Sequence, residues 1–326
     1  MSTKPYLQLG GDAGKPLAII RGGANDGEIV YLCEGELSEK DAPFNKTEMR
    51  LINTLIDEQL KLHSTNNRTK ERSKNAEIIR RTMENGGSIK DELLSDIYKV
   101  VKSEFNRKKD IEIDILDGVF EIIPSANGDR ECSYAGAPSG SGKSYWVGSY
   151  ARQYNKLYPK NKVFLFSKVE DDVSLKGIKN LITVKLDYQL VDDPITTEEL
   201  KDSLCIFDDT DTIKDKDIRL AINELKSDIL ETGRHFNVTT VITSHLLCNR
   251  NETKTVLNES HNYIVYPSSG SAYQIKYLLR NYVGLGNEDI RNIFKLNSRW
   301  VCIRKNYPQI VISEHKIYLV SGSNAL

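Results

Sequence analysis

Residues 137–144, Ala137-Pro138-Ser139-Gly140-Ser141-Gly142-Lys143-Ser144, are the segment best suited to hold a phosphate. Small side chains let successive backbone N–H groups turn inward on an anion, and a helix opening at the lysine presents the positive end of its dipole to the same point. The pattern, Ala or Gly followed after four residues by Gly-Lys-Ser, is a variant phosphate loop. It assigns Ala137, Pro138, Ser139, Gly140, Ser141, Gly142, Lys143, Ser144 and the adjoining Tyr145 to a nucleotide site. In such a loop the lysine reaches the β- and γ-phosphates of ATP and the serine hydroxyl ligates Mg²⁺. Lys143 is expected to face solvent when no nucleotide is held. A second glycine-lysine pair, Gly14-Lys15, precedes Pro16, which has neither hydroxyl nor N–H, and reads as an ordinary loop.

About 65 residues downstream, the apolar run Leu204-Cys205-Ile206-Phe207 delivers Asp208 and Asp209 at its end. Carboxylates at the C-terminal ends of strands sit where open α/β sheets bind ligands. Asp208 suits Mg²⁺, and Asp209 suits a general base that polarises an attacking water. A third feature, Ile242-Thr243-Ser244-His245, also ends a strand. There His245 could sense the γ-phosphate or place the lytic water, or it could be a capping or packing histidine.

These groups need a scaffold that brings several strand ends together. From residue 108 onward strands alternate with helices: Cys132–Ala135, Val163–Phe166, Ile182–Leu186, Leu204–Phe207 and Thr239–Thr243 as strands, with helices over 145–157 and 218–230. That alternation implies an α/β fold, a mostly parallel sheet with helices on both faces. Tyr263–Tyr266, a helix over 273–279, Trp300–Arg304 and 310–320 complete it. Ile111–Leu116 and Val119–Ile123 read as a hairpin turned by Asp117-Gly118. The first 107 residues form a mixed α+β appendage without a chemical signature, leaving 108–326 as the nucleotide domain. In the appendage, strands flank the glycine-rich turn at 22–27. Helical periodicity begins near Asn45 with Met49, Ile52, Ile56 and Leu60. A mobile basic loop is expected over 63–75, a helix over 76–83, and an N-cap at Ser88 for a helix carrying Leu93, Leu94, Ile97 and Val101.

The 326 residues provide ample core, and 39% hydrophobic with 28% charged residues is a globular composition with no apolar run near the length of a membrane span. The N-terminus lacks the layout of a secretion signal. Five scattered cysteines without a CxxC spacing argue against a disulfide framework or zinc knuckle, and four sit in strand-like runs as buried thiols. Net charge is −1, yet 61–81 and 276–305 each carry seven Lys/Arg against two acids, while 187–217 holds eleven acids against three lysines. Local fields can therefore be strong. The two basic stretches, with Tyr273, Tyr277, Tyr282 and Trp300 beside the second, are candidate DNA contacts through phosphate counterion release, or else a solvated helix face and core aromatics.

With Gly142-Lys143-Ser144, Phe207-Asp208-Asp209 and Gly233-Arg234-His235-Phe236-Asn237-Val238 leading to Thr243-Ser244-His245, the chain resembles the poxvirus-type genome-packaging ATPases of large double-stranded DNA viruses. These are P-loop NTPases of the FtsK–HerA superfamily. The resemblance covers about residues 108–320. It departs at His245, where the superfamily usually has Gln, while Asp208-Asp209 is similar to the paired-acid version of this branch. The resemblance implies a RecA/FtsK-like fold, ATP and Mg²⁺ as ligands, and a ring of six or five subunits that hydrolyses ATP while passing double-stranded DNA. It also implies an arginine supplied by the neighbouring subunit: Arg234 first, with Arg280 and Arg299 as alternatives, and a structural salt bridge as the other reading of each. Capsid or inner-membrane virion proteins would be further partners, and the infected-cell cytoplasm, viral factory or virion the location, without secretion. Other classes left open are a helicase or assembly motor, and a nucleotide-dependent switch or scaffold with little turnover. A metabolite kinase fits less well, because no arginine-rich lid is evident.

Overall fold

The computed structural model describes residues 4–11, 13–35, 44, 46–63, 69–125, 129–169 and 173–320. Three strands come first: β1 (Lys4–Leu9), β2 (Lys15–Arg21) and β3 (Ile29–Gly35), with β3 antiparallel to both others. Lys15 and Pro16 thus open a strand rather than grip an anion. Helices α1 (Lys46–His63), α2 (Thr69–Asn85) and α3 (Glu92–Lys108) follow. Ile52, Leu55, Ile56 and Leu60 meet Ile79, Leu94, Ile97, Val101 and Phe105 in a core of their own.

Three local expectations change here. Of the loop expected over 63–75, residues 64–68 lie outside the described residues and 69–75 belong to α2. Its low hydrophobicity hid a helix whose arginines are paired along the surface: Arg80 and Arg81 both reach Glu77, and Arg72 reaches Asp57 of α1. The N-cap of α3 is Asp91, not Ser88: its carboxylate accepts from Leu94 N at 2.9 Å.

The expected hairpin at 111–123 also separates. β4 (Glu112–Asp114) joins a ten-stranded sheet at its edge, whereas β5 (Val119–Ile122) pairs with β2 in the four-stranded sheet β1-β3-β2-β5. Asp117-Gly118 does turn the chain, with Gly118 at φ 75° and no room for a side chain, since a Cβ would lie 2.3 Å from Gly22 O. The turn redirects the strand onto a different partner because Phe120 and Ile122 extend the buried face of β2, made by Ala18 and Ile20.

The large sheet is built from β6 (Cys132–Gly136), β7 (Lys162–Ser167), β8 (Leu181–Val184), β9 (Ser203–Asp208), β10 (Val238–Ser244), β11 (Asn262–Val265), β12 (Val301–Arg304), β13 (Ile310–Ser313) and β14 (Lys316–Leu319), with β4. Its order is β4-β14-β13-β12-β11-β6-β10-β9-β7-β8. From β11 to β8 all neighbours run parallel, and from β11 to β4 they are antiparallel. Helices α4 (Lys143–Leu157), α5 (Gln189–Asp192), α6 (Lys216–Thr232), α7 (Arg250–Glu259), α8 (Ala272–Asn281) and α9 (Asn287–Lys295) connect the strands.

Strand β9 shows why the central run is apolar throughout. Leu204 and Ile206 face one core with Trp146, Val147, Tyr150 and Tyr154 of α4, while Cys205 and Phe207 face the other with Ile218, Ile222 and Ile229 of α6. Period-two alternation feeds two buried faces. The α4 face is also covered by the small sheet, whose Leu17, Ile20 and Phe120 share that core. Glu121 of β5 clasps both partners, accepting from Gln153 Nε2 of α4 at 2.6 Å and Arg21 Nε of β2 at 3.2 Å. Four cysteines lie buried in strands, and all five are free. Burial pushes the Cys205 and Cys302 thiols up to about 12. Among the described residues, no helix is long and apolar enough to cross a membrane.

Candidate nucleotide site

Strand β6 is buried along its whole length and ends where the loop 137–142 begins. The loop is tied to the neighbouring strand by Ala137 N donating to Ser244 O at 3.0 Å. Gly140 and Gly142 take φ 79° and 99°, left-handed values that favour glycine. Gly142 is the residue before α4 and supplies no side-chain cap, so the first N–H groups of the helix remain available for an anion. Pro138, Ser139 and Gly140 are exposed, which leaves the cradle open to solvent.

Lys143 does not face solvent as expected. Its side chain is 5% exposed, with Nζ donating to Ala137 O at 2.7 Å and standing 3.6 Å from Asp209 Oδ1. Burying an ammonium is costly unless acceptors replace water, and here the loop's own carbonyl and an acid from β9 do so. The next residue, Ser144, is half-buried, and its hydroxyl takes no partner among the described residues.

The acids arrive from two strands away. β10 lies between β6 and β9, pairing Ser244 with Gly136 on one side and Ile242 with Phe207 on the other. Two strand spacings separate the phosphate loop from the acid pair by roughly 10 Å, and Lys143 spans that gap. Asp208 accepts from Thr243 Oγ1 at 2.8 Å and from Ser167 Oγ at 3.4 Å. Asp209 sits at φ 45°, a left-handed conformation costing a non-glycine residue about 1–2 kcal/mol. Its backbone N–H donates to Thr243 Oγ1 at 2.9 Å, and the same hydroxyl lies 3.1 Å from Asp209 Oδ1. His245, half-buried, places Nε2 3.2 Å from Asp209 Oδ2.

Thr243, 1% exposed, is thus the residue that sequence reasoning passed over. Threonine is a good strand former, and in Thr239-Thr240-Val241-Ile242-Thr243 it read as β-propensity. The usable signal was its place at the end of the strand, next to Ser244 and His245. Ser244 is likewise engaged, its hydroxyl donating to Asp211 Oδ2 at 2.7 Å.

The structure therefore brings Lys143, Ser144, Asp208, Asp209 and His245 to one edge of the sheet. Arg234 is not among them. It is exposed in the turn before β10, at the opposite end of that strand, roughly 20 Å away by strand length. Arg280, also exposed, donates to Asn287. Arg299 lies at the site's end of the sheet, where its guanidinium stands 5.7 Å from the Tyr145 ring centre. The basic stretch 276–305 is largely engaged within the chain, through Arg304 with Glu131, Lys305 with Asn258 O and Lys276 over Phe294. Trp300 is buried, whereas Tyr273 and Tyr277 are exposed.

The donors near the loop suit Mg²⁺. An unpartnered hydroxyl at Ser144 and the Asp208 carboxylate are hard oxygen ligands, and Mg²⁺ typically uses one or two protein oxygens with phosphates and water. Among the described residues, no group of three or more His, Cys, Asp or Glu offers an all-protein metal cage.

No protein-family model matches the sequence. Among solved structures, the chain is similar to the genome packaging NTPase B204 of Sulfolobus turreted icosahedral virus 2 in complex with AMPPCP, at 11% identity and a TM-score of 0.37, covering 59% of this chain and 98% of that one. It is similar to the pCW3 conjugation coupling protein TcpA with ATPγS, at 10% identity and 0.41, over 94% and 78%. It is also similar to the cytoplasmic domain of the Thermomonospora curvata type VII secretion ATPase EccC, at 13% and 0.41, over 65% and 29%. In sequence it is 40% identical over 224 residues, 67% of this chain and 89% of the relative, to a protein of Sputnik virophage described as the uncharacterized protein V3. The chain belongs to one family with that V3 protein, and its own loop 137–144 and mostly parallel sheet have the arrangement of a P-loop NTPase fold.

Proposed function

We propose that the chain is an ATP-hydrolysing translocase that drives double-stranded viral DNA into a capsid. The observation that carries this is the meeting of Lys143 Nζ with Asp209 Oδ1, 3.6 Å apart across the intervening strand β10. Phosphate grip and acid pair would thereby face one ligand.

The backbone N–H groups of the loop and α4 would hold the β- and γ-phosphates, with Lys143 exchanging its loop carbonyl for phosphate oxygens. Ser144 and Asp208 would hold Mg²⁺, which supplies charge neutralisation at those oxygens. Asp209 would accept the proton of the attacking water, and Thr243 and His245 would fix its carboxylate. His245 stands where it could register the γ-phosphate. Arg234, at the far end of β10 and without an ion pair among the described residues, cannot serve its own site; in a ring of six or five subunits it would serve a neighbour's.

The test is ATP turnover at low salt with and without duplex DNA. Turnover that rises with DNA and disappears in Lys143→Ala supports the proposal. Turnover indifferent to DNA removes translocation and leaves an assembly motor, and turnover surviving Lys143→Ala places the active site elsewhere.

A further inference from the structure

We infer that Tyr145 and Arg299 form the platform for the base of the bound nucleotide, and that Arg299 serves its own subunit's site rather than a neighbour's. The inference rests on the ATP-site assignment above and extends it from the triphosphate to the nucleoside.

Tyr145 immediately follows Ser144, its Cα about 3.8 Å further along the chain, so its backbone adjoins the phosphate grip. The aromatic residues that follow on α4, Trp146, Tyr150 and Tyr154, are buried, whereas Tyr145 is 55% exposed. A lone exposed aromatic is ordinary on a protein surface. What sets this one apart is the device that holds Arg299 over it.

Glu314 is 5% exposed and accepts from Arg299 N at 2.7 Å, Arg299 Nε at 2.8 Å and Ser298 Oγ at 3.2 Å. Burial pushes its carboxyl up, but the hydrogen bonds and charge of Arg299 outweigh that and hold it below the usual range. A buried carboxylate is costly unless compensated, and this one serves to fix the position of a guanidinium that is itself mostly exposed. The outcome is a cation stacked 5.7 Å from the Tyr145 ring centre, with both terminal nitrogens of Arg299 free of partners among the described residues.

Such a pair offers two things to a nucleotide leaving the phosphate loop. A rigid aromatic face suits a purine, because base–aromatic stacking tolerates any base but grows with ring area. The free guanidinium edge offers donors to the ribose oxygens, which tripolyphosphate lacks. Arg299 reaches this position because β12 runs antiparallel to β11, which returns residue 299 to the end of the sheet where β6 delivers the loop.

The experiment compares equilibrium binding of ATP and inorganic tripolyphosphate, each with Mg²⁺, by calorimetry on the full chain. One stacked base contributes roughly a tenfold preference for ATP over tripolyphosphate. Tyr145→Ala should erase that preference by weakening ATP about tenfold while leaving tripolyphosphate affinity unchanged, and Tyr145→Phe should restore it. Arg299→Ala should also narrow the ratio. An unchanged ratio in Tyr145→Ala overturns the platform, as does an Arg299→Ala protein that loses turnover at unaltered ATP affinity, the behaviour of a residue acting on a neighbour. Wild-type binding of both ligands with no preference likewise defeats the platform while sparing the phosphate site. If neither ligand binds and Lys143→Ala changes nothing, the site assignment itself fails. Circular dichroism of each variant separates these results from misfolding.

Discussion

Replacing Thr243 by Val keeps the shape of the side chain and deletes one hydroxyl that touches three groups. It accepts from Asp209 N at 2.9 Å and lies 2.8 Å from Asp208 Oδ1 and 3.1 Å from Asp209 Oδ1. Hydrogen bonds to charged groups contribute about 1.5–3 kcal/mol. The two carboxylates are half-buried, so water recovers part of that, leaving a net loss of about 2 kcal/mol. Without the hydroxyl, Asp209 also lacks the acceptor that holds its backbone at φ 45°. If Asp209 is the general base, about 2 kcal/mol taken from the transition state lowers kcat roughly thirtyfold. KM for ATP should hardly move, because the phosphate loop and Lys143 are untouched. The melting temperature should fall by only about 2–4 °C. Steady-state ATPase kinetics on Thr243→Val and Thr243→Ser would decide it, since serine keeps the hydroxyl and should recover most of the rate. A valine variant with unaltered kcat, or a serine variant as impaired as valine, would refute the role given to this hydroxyl.

Two further outcomes concern the fold. His261 accepts from Cys132 N at 3.0 Å through Nδ1, and burial, reinforced by the nearby Arg130, holds its pKa below the ordinary 6.5. The unfolded chain therefore binds the proton first. The stability contributed by neutral His261 is complete above about pH 6.5 and diminishes as the pH falls below it, so denaturant midpoints at pH 7.5 and 5.5 should differ less in His261→Asn than in the wild type. Deleting residues 1–107 removes β2 from beside β5 and uncovers Phe120 and Ile122, which are 1% and 3% exposed in the whole chain. The truncated protein should be largely insoluble on expression, and a soluble product melting like the full chain would contradict the shared core.

The phosphate loop and the strand before Asp208 were legible because their signals are local. A glycine at φ 99° beside a lysine, and an apolar run closed by two acids, state their own geometry in a few residues. The burial of Lys143 was not legible, because its acceptors are a carbonyl of its own loop and an acid two strands away. Asp117-Gly118 announced a turn but not its destination, since a corner between sheets and a hairpin use the same residues. Trp146, Tyr150 and Tyr154 recur at helical spacing on one face of α4, and nothing in that spacing could reveal that a second sheet contributes to their cover. Arg234 and Arg299 looked alike as lone arginines, and only the antiparallel return through β12 separates their positions.

The parting of β4 and β5 has a mechanical corollary. Only residues 115–118 join a strand at the rim of the large sheet to one stitched into the small sheet. Through Glu121 that second strand grasps Gln153, about 15 Å along α4 from Lys143 at 1.5 Å per residue. The small sheet is consequently tied to the helix that opens on the phosphates twice over, by the Glu121–Gln153 contact and by the core that the two share.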